Sequence, residues 1–305
     1  MTISERLAEP RTLILDGATG TELQRRGVTM SKHTWCGAGA LVAPDVLREV
    51  HADYIRAGAE VIIVNSYASA PHHLEAAGLG DRAEEVNRRS TELAREARDQ
   101  TAAKPVWIAG SLSLLAPNFN DADRPSPEKL AASLAQQATW LAEAGVDLFV
   151  LEMLRDVTYS TAAVKAALSI GLPVWSGFSC VRNRNNELVT DGHVTGVMPL
   201  VDVLEAVTGL GEELVAIMHS EITDTGPALD LLRRASALPL GAWPNSGDFE
   251  PPNWRFDKAI SPDAFAQICA DWVDGGVKVV GGCCGLGPDH IRAAAERLSL
   301  TGRRA

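Results

Sequence analysis

The sequence predicts an α/β fold, a (β/α)8 TIM barrel that forms a single domain over residues 1–305. Eight short apolar runs alternate along the chain with amphipathic stretches long enough to form helices, as expected for repeated strand–helix units. The predicted strands are apolar throughout instead of alternating with polar residues, which is typical of a parallel sheet covered on both faces. A chain of 305 residues also suits one large barrel. An open doubly wound sheet is the alternative fold.

The predicted elements follow one another in a regular order. The strands are Thr12–Leu15, Val61–Val64, Val106–Ala109, Leu148–Leu151, Val174–Phe178, Leu214–Met218, Leu240–Trp243 and Val277–Val280. The helices are Ala43–Ala57, Ala83–Thr101, Pro127–Ala144, Val157–Ser169, Val201–Thr208, Ala228–Ala235, Pro262–Asp274 and Pro288–Arg297. Gly58, Gly145 and Gly275 follow three helices as predicted C-caps. Ser126 and Ser261 each precede a proline, a pattern that predicts a helix start.

Composition and charge exclude several classes of protein. Hydrophobic residues make up 46% of the chain and charged residues 22%, as in a soluble globular protein. The net charge of −11 disfavours nucleic acid and anionic membranes as partners. No run approaches the roughly 18 apolar residues of a membrane span, and the N-terminus lacks the apolar segment of a signal peptide. Five cysteines do not suit a disulfide framework, so we expect a reduced, cytoplasmic setting.

Residues with reactive or hydrogen-bonding side chains follow the predicted strands. They are Asp16-Gly17, Asn65-Ser66-Tyr67, Gly110-Ser111, Glu152, Ser179-Cys180, His219-Ser220, Pro244-Asn245-Ser246 and Cys283-Cys284. The longest irregular segments, 114–126, 181–196 and 244–261, also follow strand ends. Because the chemistry of such barrels takes place at the carboxyl ends of the strands, the sequence predicts an active site at this rim.

Cys283 and Cys284 are adjacent and lie among Gly281, Gly282 and Gly285, directly after the last strand. Neighbouring cysteines do not easily bond to each other, whereas a glycine-flanked turn allows both sulfurs to converge on one metal ion. Zn²⁺ suits such thiolates because it takes about four ligands in a tetrahedron, at roughly 2.3 Å from sulfur. We therefore predict a Zn²⁺ site; the alternative is a pair of small apolar residues that ends a strand.

Six segments resemble the homocysteine S-methyltransferase family, which includes betaine–homocysteine and S-methylmethionine–homocysteine methyltransferases. They are ILDGATGTELQRRG (14–27), VHADYIRAGAEVIIVNSYASA (50–70), VWIAGSL (106–112), AGVDLFVLEM (144–153), WPNSG (243–247) and GGCCGLGPDHI (281–291). The resemblance runs from about residue 12 to residue 297. It implies zinc-dependent methyl transfer to the thiol of homocysteine, or of a close thiol or selenol analogue. The implied partners are a small-molecule thiol acceptor and a methyl donor.

The resemblance also implies a zinc site with three protein ligands and one open position for the substrate thiol. Cys283 and Cys284 match two ligands, and the family's third cysteine ends a segment that usually reads Gly-Val-Asn-Cys. The matching segment here is Ala216-Ile217-Met218-His219, so we expect His219 as the third ligand, with Cys180 as its rival. A histidine bonded only to a loop carbonyl is the structural alternative. Two thiolates and a neutral imidazole leave the Zn²⁺ site neutral, so a bound thiol is easier to deprotonate but less nucleophilic.

For the amino acid part of the substrate, the resemblance implies Asp16, Gly17 and Glu152 as binding residues. A pair of carboxylates is a suitable partner for an α-ammonium group. A turn residue at Asp16 and a buried ion pair at Glu152 are the structural alternatives. We expect Asn65 and Ser66 to donate hydrogen bonds, although both residue types also close turns.

Aromatic residues near the strand ends suggest a second binding feature. Tyr67, Trp175 and Trp243 are candidates for a wall that holds an onium methyl group by cation–π attraction, with burial in the core as the alternative. The pair Glu152-Met153 departs from the family's usual Glu-Thr followed by proline. We therefore expect a pocket of different shape after the fourth strand.

The sequence favours one function over two others. It contains no second barrel for a folate donor and no corrinoid module, which favours a small sulfonium or betaine-type donor. One alternative is a methyl-acceptor subunit that works with a separate corrinoid protein. The other is a non-catalytic zinc-binding or redox-sensing relative in which Cys283 and Cys284 react with oxidants. A homo-oligomer is compatible with the sequence.

Overall fold

Eight parallel strands form the barrel in the computed structural model, which describes residues 1–190 and 197–300. The strands are β1 Leu13–Ile14, β2 Val61–Ile63, β3 Trp107–Ser113, β4 Leu148–Leu154, β5 Val174–Phe178, β6 Leu214–Glu221, β7 Leu240–Asn245 and β8 Val277–Val280. Neighbours in chain order pair in parallel from β2 to β8, and β8 pairs with β1. A bridge between Leu15 and Val61 joins β1 to β2 and completes the ring. The predicted TIM barrel is confirmed.

Most helices cover the outside of this ring, whereas the N-terminal helix packs Ile3 and Leu7 against the residues of the lumen. The α-helices are Ile3–Ala8, Thr19–Arg25, Gly39–Val42, Pro44–Ala57, Pro71–Ala76, Ala83–Thr101, Pro127–Ala144, Val157–Leu168, Leu200–Val207, Ile222–Ala235, Pro262–Asp274 and Pro288–Leu300. Short 3-10 turns lie at Gly80–Arg82, Pro117–Phe119 and Asp121–Asp123. Gly58 and Gly145 end their helices in the left-handed conformation, and the Ser126 and Ser261 hydroxyls accept N-cap hydrogen bonds, as predicted.

Two hydrophobic layers explain why the strands are apolar on both faces. Side chains that point inward fill the lumen, where Trp107, Trp175 and Trp243 are the largest. Side chains that point outward pack against the helices in a larger layer. Trp175 is fully buried in the lumen and does not line the cavity described below, so its predicted place in an onium-binding wall is wrong.

The segments predicted to be irregular after β5 and β7 contain hairpins instead. Cys180–Arg182 pairs with Leu188–Thr190 after β5, whereas residues 191–196 of that segment lie outside the described residues. Asp248–Glu250 pairs with Asn253–Arg255 after β7, and we call this the β7 hairpin. Both hairpins extend the wall above the strand ends. Among the described residues, none of the helices is both long and apolar enough to cross a bilayer.

Candidate active site

A cavity of about 490 Å³ opens at the carboxyl ends of the strands. Seven of the predicted site residues line it: Gly17, Asn65, Glu152, Cys180, His219, Cys283 and Cys284. Asp16 and Ser66 are fully buried and do not contribute to its lining. The structure therefore brings most of the predicted side chains to one cavity, on residues from six different strand ends.

His219, Cys283 and Cys284 form a compact group in this cavity. Their ligand atoms all lie within 4.8 Å of one another. The Nδ1 atom of His219 is 3.4 Å from the Sγ atom of Cys283. Cys284 is buried, whereas His219 and Cys283 are half-buried and accessible from the cavity. Two sulfurs and an imidazole nitrogen thus face a common point.

Glycines determine the path of the chain around the two cysteines. A Cβ atom on Gly285 would lie 1.8 Å from the carbonyl oxygen of Ser246, and the backbone there has φ +85°. Only glycine combines that conformation with so close an approach. The N–H of Cys283 donates to the Pro244 carbonyl at 2.8 Å, and the Cys284 carbonyl accepts from the Ser246 N–H at 2.9 Å. The loop after β8 is therefore fixed against the end of β7.

His219 reaches the cavity because β6 contains a bulge. In the regular part of this strand, Ala216 and Met218 face the lumen whereas Ile217 faces the helices. Strict alternation would direct His219 towards the helices as well. Relative to β7, one extra residue lies between Met218 and Glu221, and His219 has φ +42°. A bulge of this kind redirects side chains, and here it directs His219 into the cavity.

The two thiols have different proton affinities. A hydrogen bond from the Cys284 thiol and the nearby His219 imidazole lower the pKa of Cys283 well below its usual range. The same hydrogen bond, together with burial, raises the pKa of Cys284. The pair therefore holds one thiolate readily. A cation bound between the sulfurs would favour loss of the second proton as well.

Glu152, near the end of β4, is a buried carboxylate that lines the cavity and is the best candidate to bind a cationic group of a substrate. Its Oε1 atom accepts a hydrogen bond of 2.5 Å from the Ser111 hydroxyl, and its side chain lines the cavity while being only 8% exposed. Burial and the negative charge of Cys283 raise its pKa to about 8. The carboxyl group is thus easily protonated when the cavity is empty, and a bound cation would favour its ionised form.

Asp16 supports the same region from behind the cavity wall. Its Oδ2 atom accepts a hydrogen bond of 2.7 Å from the Ile63 N–H, and burial raises its pKa well above the usual range. Its Oδ1 atom is buried and has no hydrogen-bond partner among the described residues. The negative charges of Glu152 and Cys283 also raise the pKa of Asp16, so the three groups interact electrostatically.

The remaining predicted residues have mixed placements. Asn65 lines the cavity, and its Nδ2 atom donates to the Cys36 carbonyl at 2.9 Å. The Ser66 hydroxyl donates to the Ser111 carbonyl and accepts from the Ser111 N–H, both at 2.9 Å. Ser66 thus links two strand ends, and its role in substrate binding stays a prediction. Cys180 is buried beside the cavity but is not part of the three-residue group.

Gly17 has a steric reason to be glycine. A Cβ atom there would lie 2.3 Å from the Leu286 carbonyl oxygen. Any side chain would push the loop after β8 away from the end of β1. Gly17 therefore lets the segment that follows the two cysteines pack against β1, and it leaves backbone atoms facing the cavity.

Several aromatic residues of the cavity could not be selected from the sequence. Trp254 of the β7 hairpin lies with its ring centroid 6.0 Å from that of His219. Trp35 packs edge-on against Tyr67 at 6.1 Å, and Phe119 contacts Phe249 at 5.7 Å. All five aromatic residues line the cavity. Phe249 and Trp254 lie on the β7 hairpin, Trp35 and Phe119 lie in the segments after β1 and β3, and no motif marks any of the four in the sequence.

Cys36 is a further cavity residue that sequence reasoning missed. It is buried, and burial raises the pKa of its thiol to about 12. A negative charge on Cys36 would raise the pKa of Cys284, which places the two sulfurs in the same region. Its position in the loop after β1, far from any metal-binding motif, explains why it was not selected.

A sequence profile of the homocysteine S-methyltransferase family matches residues 13–298. The homocysteine S-methyltransferase of Escherichia coli is 30% identical, with 93% of this chain and 94% of the relative covered. A selenocysteine methyltransferase of Astragalus bisulcatus is 29% identical, with 95% and 93% covered. The solved metallated form of the homocysteine methyltransferase MmuM from Escherichia coli superposes with a TM-score of 0.75 at 28% identity, covering 96% and 98% of the two chains. The chain belongs to the homocysteine S-methyltransferase family.

Proposed function

We propose that this protein uses Zn²⁺ to transfer a methyl group from a small sulfonium or betaine-type donor to the thiol of homocysteine, giving methionine. A close thiol or selenol analogue is an equivalent acceptor. The observation that carries the proposal is the convergence of His219, Cys283 and Cys284 with the Glu152 carboxyl group in one cavity. The names of the Escherichia coli and Astragalus relatives cover a thiol and a selenol acceptor, which supports this choice.

The three grouped side chains fit Zn²⁺. Tetrahedral ligands about 2.3 Å from the ion lie roughly 3.8 Å from one another, and the three ligand atoms here lie within 4.8 Å of one another. Two thiolates and one imidazole, with a fourth position left to the substrate, form a donor set found in catalytic zinc sites. Cys283, Cys284 and His219 would hold the ion. Bound there, Zn²⁺ would supply the Lewis acidity that ionises an acceptor thiol near neutral pH.

The acceptor is oriented by charge. We infer that its α-ammonium group lies against the Glu152 carboxylate, which the Ser111 hydroxyl holds in place at 2.5 Å. The buried Asp16 adds negative potential to the same region. A charge-assisted hydrogen bond of this kind directs the thiol of the acceptor towards Cys283 and Cys284. The backbone at Gly17 faces the cavity and leaves space for the substrate.

The transfer itself is a displacement at carbon. The acceptor sulfur, as thiolate, forms a bond to the methyl carbon, and the bond between that carbon and the onium centre of the donor breaks. The electron pair of the broken bond stays on the donor, which leaves as a neutral thioether or amine. Trp254, Trp35 and Tyr67 line the cavity and suit a cationic donor, because aromatic faces attract onium groups. Binding of both substrates in one cavity would fix the orientation of the reacting atoms.

The setting follows from the state of the thiols. All five cysteines are free, and we propose that the protein works in a reducing, cytosolic environment. We further propose that residues 1–305 act as one domain, with the acceptor and donor as small-molecule partners.

The proposal predicts the metal content of four purified proteins. Wild type should carry about one zinc per chain. Cys283→Ala should carry none, because a single sulfur and an imidazole hold zinc too weakly. His219→Ala should lose most of its zinc, whereas Cys180→Ala should keep it, since Cys180 is outside the three-residue group. Inductively coupled plasma mass spectrometry measures the metal directly, and methionine formation from homocysteine with a panel of donors measures the activity.

Each arm has an outcome that contradicts a specific part of the proposal. Full zinc retention in His219→Ala would remove His219 from the ligand set, and zinc loss in Cys180→Ala would put Cys180 in its place. Absence of zinc from wild type would refute the cofactor. Methyl transfer only when methylcobalamin is supplied would establish the corrinoid-dependent alternative. Thiol oxidation without methyl transfer to any acceptor would favour the redox-sensing alternative.

A further inference from the structure

Glu221, the last residue of β6, adds a further acidic side chain to the cavity. It lines the cavity together with Glu152 and Asp248, but the Asp248 carboxylate pairs with Lys258 at 2.9 Å. The Glu221 side chain is exposed, whereas Glu152 is buried. His219 acts electrostatically on both carboxyl groups. The candidate zinc ligand therefore has one carboxylate at the inner part of the cavity and another at its mouth.

The bulge in β6 is what directs Glu221 to this position. Met218 faces the lumen, so strict alternation would direct Glu221 towards the surrounding helices. The extra residue between Met218 and Glu221 reverses this direction, and Glu221 then pairs in register with Asn245 of β7. The same local distortion thus directs both His219 and Glu221 into the cavity.

A hydrogen bond holds the Glu221 carboxylate in place, but no paired lysine or arginine side chain among the described residues balances its charge. Its Oε1 atom accepts a hydrogen bond of 3.0 Å from the Asn245 Nδ2 atom, and Asn245 also lines the cavity. The nearby cations have other partners: Arg182 pairs with Asp224 at 2.7 Å, and Lys258 pairs with Asp248 at 2.9 Å. In the part of the chain that the structure describes, no lysine or arginine forms an ion pair with Glu221.

The Glu152 and Glu221 carboxylates suit two different cations. An acceptor amino acid brings one ammonium group, for which the buried Glu152 is the partner inferred above. The donor must approach the acceptor sulfur from the open side of the cavity, where Glu221 lies. A fixed carboxylate without a protein cation forms strong hydrogen bonds with an ammonium group of a ligand.

We propose that Glu221, positioned by Asn245, is the residue that selects the methyl donor by binding an ammonium group which the donor carries in addition to its onium centre. This inference rests on the proposed methyl transfer. It narrows the donor to a sulfonium of the amino acid type. A betaine-type donor has a carboxylate but no ammonium group, and it gains nothing from Glu221.

Two donors that differ only in the ammonium group test the assignment. S-Methyl-L-methionine carries it, and (3-carboxypropyl)dimethylsulfonium is the same molecule without it. Wild type should prefer S-methyl-L-methionine in kcat/KM. Glu221→Gln should reduce that preference about 10-fold to 100-fold, the value of a hydrogen bond to a charged group, by raising KM for S-methyl-L-methionine alone. KM for homocysteine should stay constant.

Two further variants separate a binding role from a structural one. Asn245→Ala should reduce the preference in the same direction, because the carboxylate loses its holding hydrogen bond, whereas general damage would slow both donors equally. Glu250→Gln is the matched control: it removes the same charge from the β7 hairpin, where Glu250 pairs with Arg255 at 2.9 Å and does not line the cavity. Its donor preference should equal that of wild type.

Direct binding distinguishes failure of this inference from failure of the proposed function. Calorimetric titration of S-methyl-L-methionine into wild type and Glu221→Gln requires no turnover. Weaker binding to the variant supports the ammonium site even if no acceptor is methylated. An unchanged donor preference together with unchanged binding of S-methyl-L-methionine to Glu221→Gln would overturn the inference. It would do so even if wild type were fully active as a methyltransferase.

Discussion

The ends of β6 and β8 contribute to the same metal-binding group by different means. At β8, the two cysteines lie among glycines, and the backbone needs no side-chain-bearing residue in an unfavourable conformation. At β6, His219 itself adopts φ +42°, a region that costs a residue with a side chain about 1 to 3 kcal/mol. Neighbouring glycines thus allow the backbone path that places Cys283 and Cys284. His219 is placed by a distortion of its own strand.

The difference shows which kind of site can be recognised in a sequence. The β8 loop is encoded locally, since glycines and cysteines appear together in one short motif. The β6 bulge depends on pairing with β7, where three residues of one strand face two of the other. A bulge of this type next to a binding site re-aims a side chain that regular alternation would hide. Loss of the metal ligands at either strand end should therefore remove zinc, but only at β8 should a change of a residue that is not a ligand, such as a glycine, have the same result.

The largest effect should come from Gly285→Ala in the β8 loop. The new Cβ atom would lie 1.8 Å from the Ser246 carbonyl oxygen in a backbone with φ +85°. Backbone atoms cannot yield as a flexible side chain can, so we expect a loss of about 4 kcal/mol or more in the free energy of unfolding, together with loss of bound zinc. Urea titration and metal analysis measure the two effects.

Gly276→Ala is the matched control for that substitution. Gly276 has φ +92°, but a Cβ atom there would have no neighbour within 4 Å. It should cost only the conformational strain, about 1 kcal/mol, and should leave the zinc content unchanged. Equal losses in the two variants would show that the close contact with Ser246 does not hold the cysteine loop.

The sequence predicted the barrel and the cysteine pair because both depend on local patterns. Apolar strands, glycine C-caps and the Gly-Gly-Cys-Cys-Gly motif are visible without knowledge of pairing. His219 was placed at the rim by its position after the sixth strand, but the backbone conformations of Met153 and His219 were not predictable, because each adopts a positive φ at a register shift relative to the neighbouring strand. The hairpins after β5 and β7 were missed for a related reason, since their strands are only three residues long.

The sequence also did not predict the hydrogen-bond partners of the residues at the rim. Ser66 was selected as a polar residue at a strand end, yet its hydroxyl bonds to the Ser111 backbone in both directions. Trp254 was not selected, yet Gln24 holds its backbone N–H and carbonyl and places its ring beside His219. Residue type and position along a strand indicate that a group is near the rim. Which groups remain available to a substrate depends on contacts between distant segments.

A second prediction uses Glu152, whose charge responds to both regions. Burial and Cys283 of the β8 loop raise its pKa to about 8, while His219 of β6 opposes this increase. An unfolded glutamate has a pKa near 4.3. Between these values the folded protein holds a proton that the unfolded chain does not, so the stability of the metal-free protein decreases as pH rises through this window. From pH 5.5 to 8 the loss is about 3 kcal/mol at 1.36 kcal/mol per unit.

Glu152→Gln isolates this contribution because glutamine can still accept the Ser111 hydrogen bond but does not titrate. In chelator-treated protein, the free energy of unfolding of wild type should fall more steeply between pH 5.5 and 8 than that of the variant, by about 3 kcal/mol in total. Parallel pH profiles would show that Glu152 is already ionised in the empty cavity. The same variant should raise KM for homocysteine while leaving the donor preference unchanged.

The smallest predicted effect tests the backbone at the end of β6 without its metal. In chelator-treated protein, His219→Gly should be more stable than His219→Ala by about 0.5 to 1 kcal/mol, because glycine adopts φ +42° without a Cβ penalty. At the next residue, Ser220, the backbone has no positive φ, so Ser220→Gly should be less stable than Ser220→Ala. Urea titration of the four variants gives the two differences, and opposite signs would localise the strain to His219. If the alanine variant were more stable than the glycine variant at both positions, the backbone at His219 would not be strained. The ends of β6 and β8 would then not differ in the conformational free energy needed to place their metal ligands.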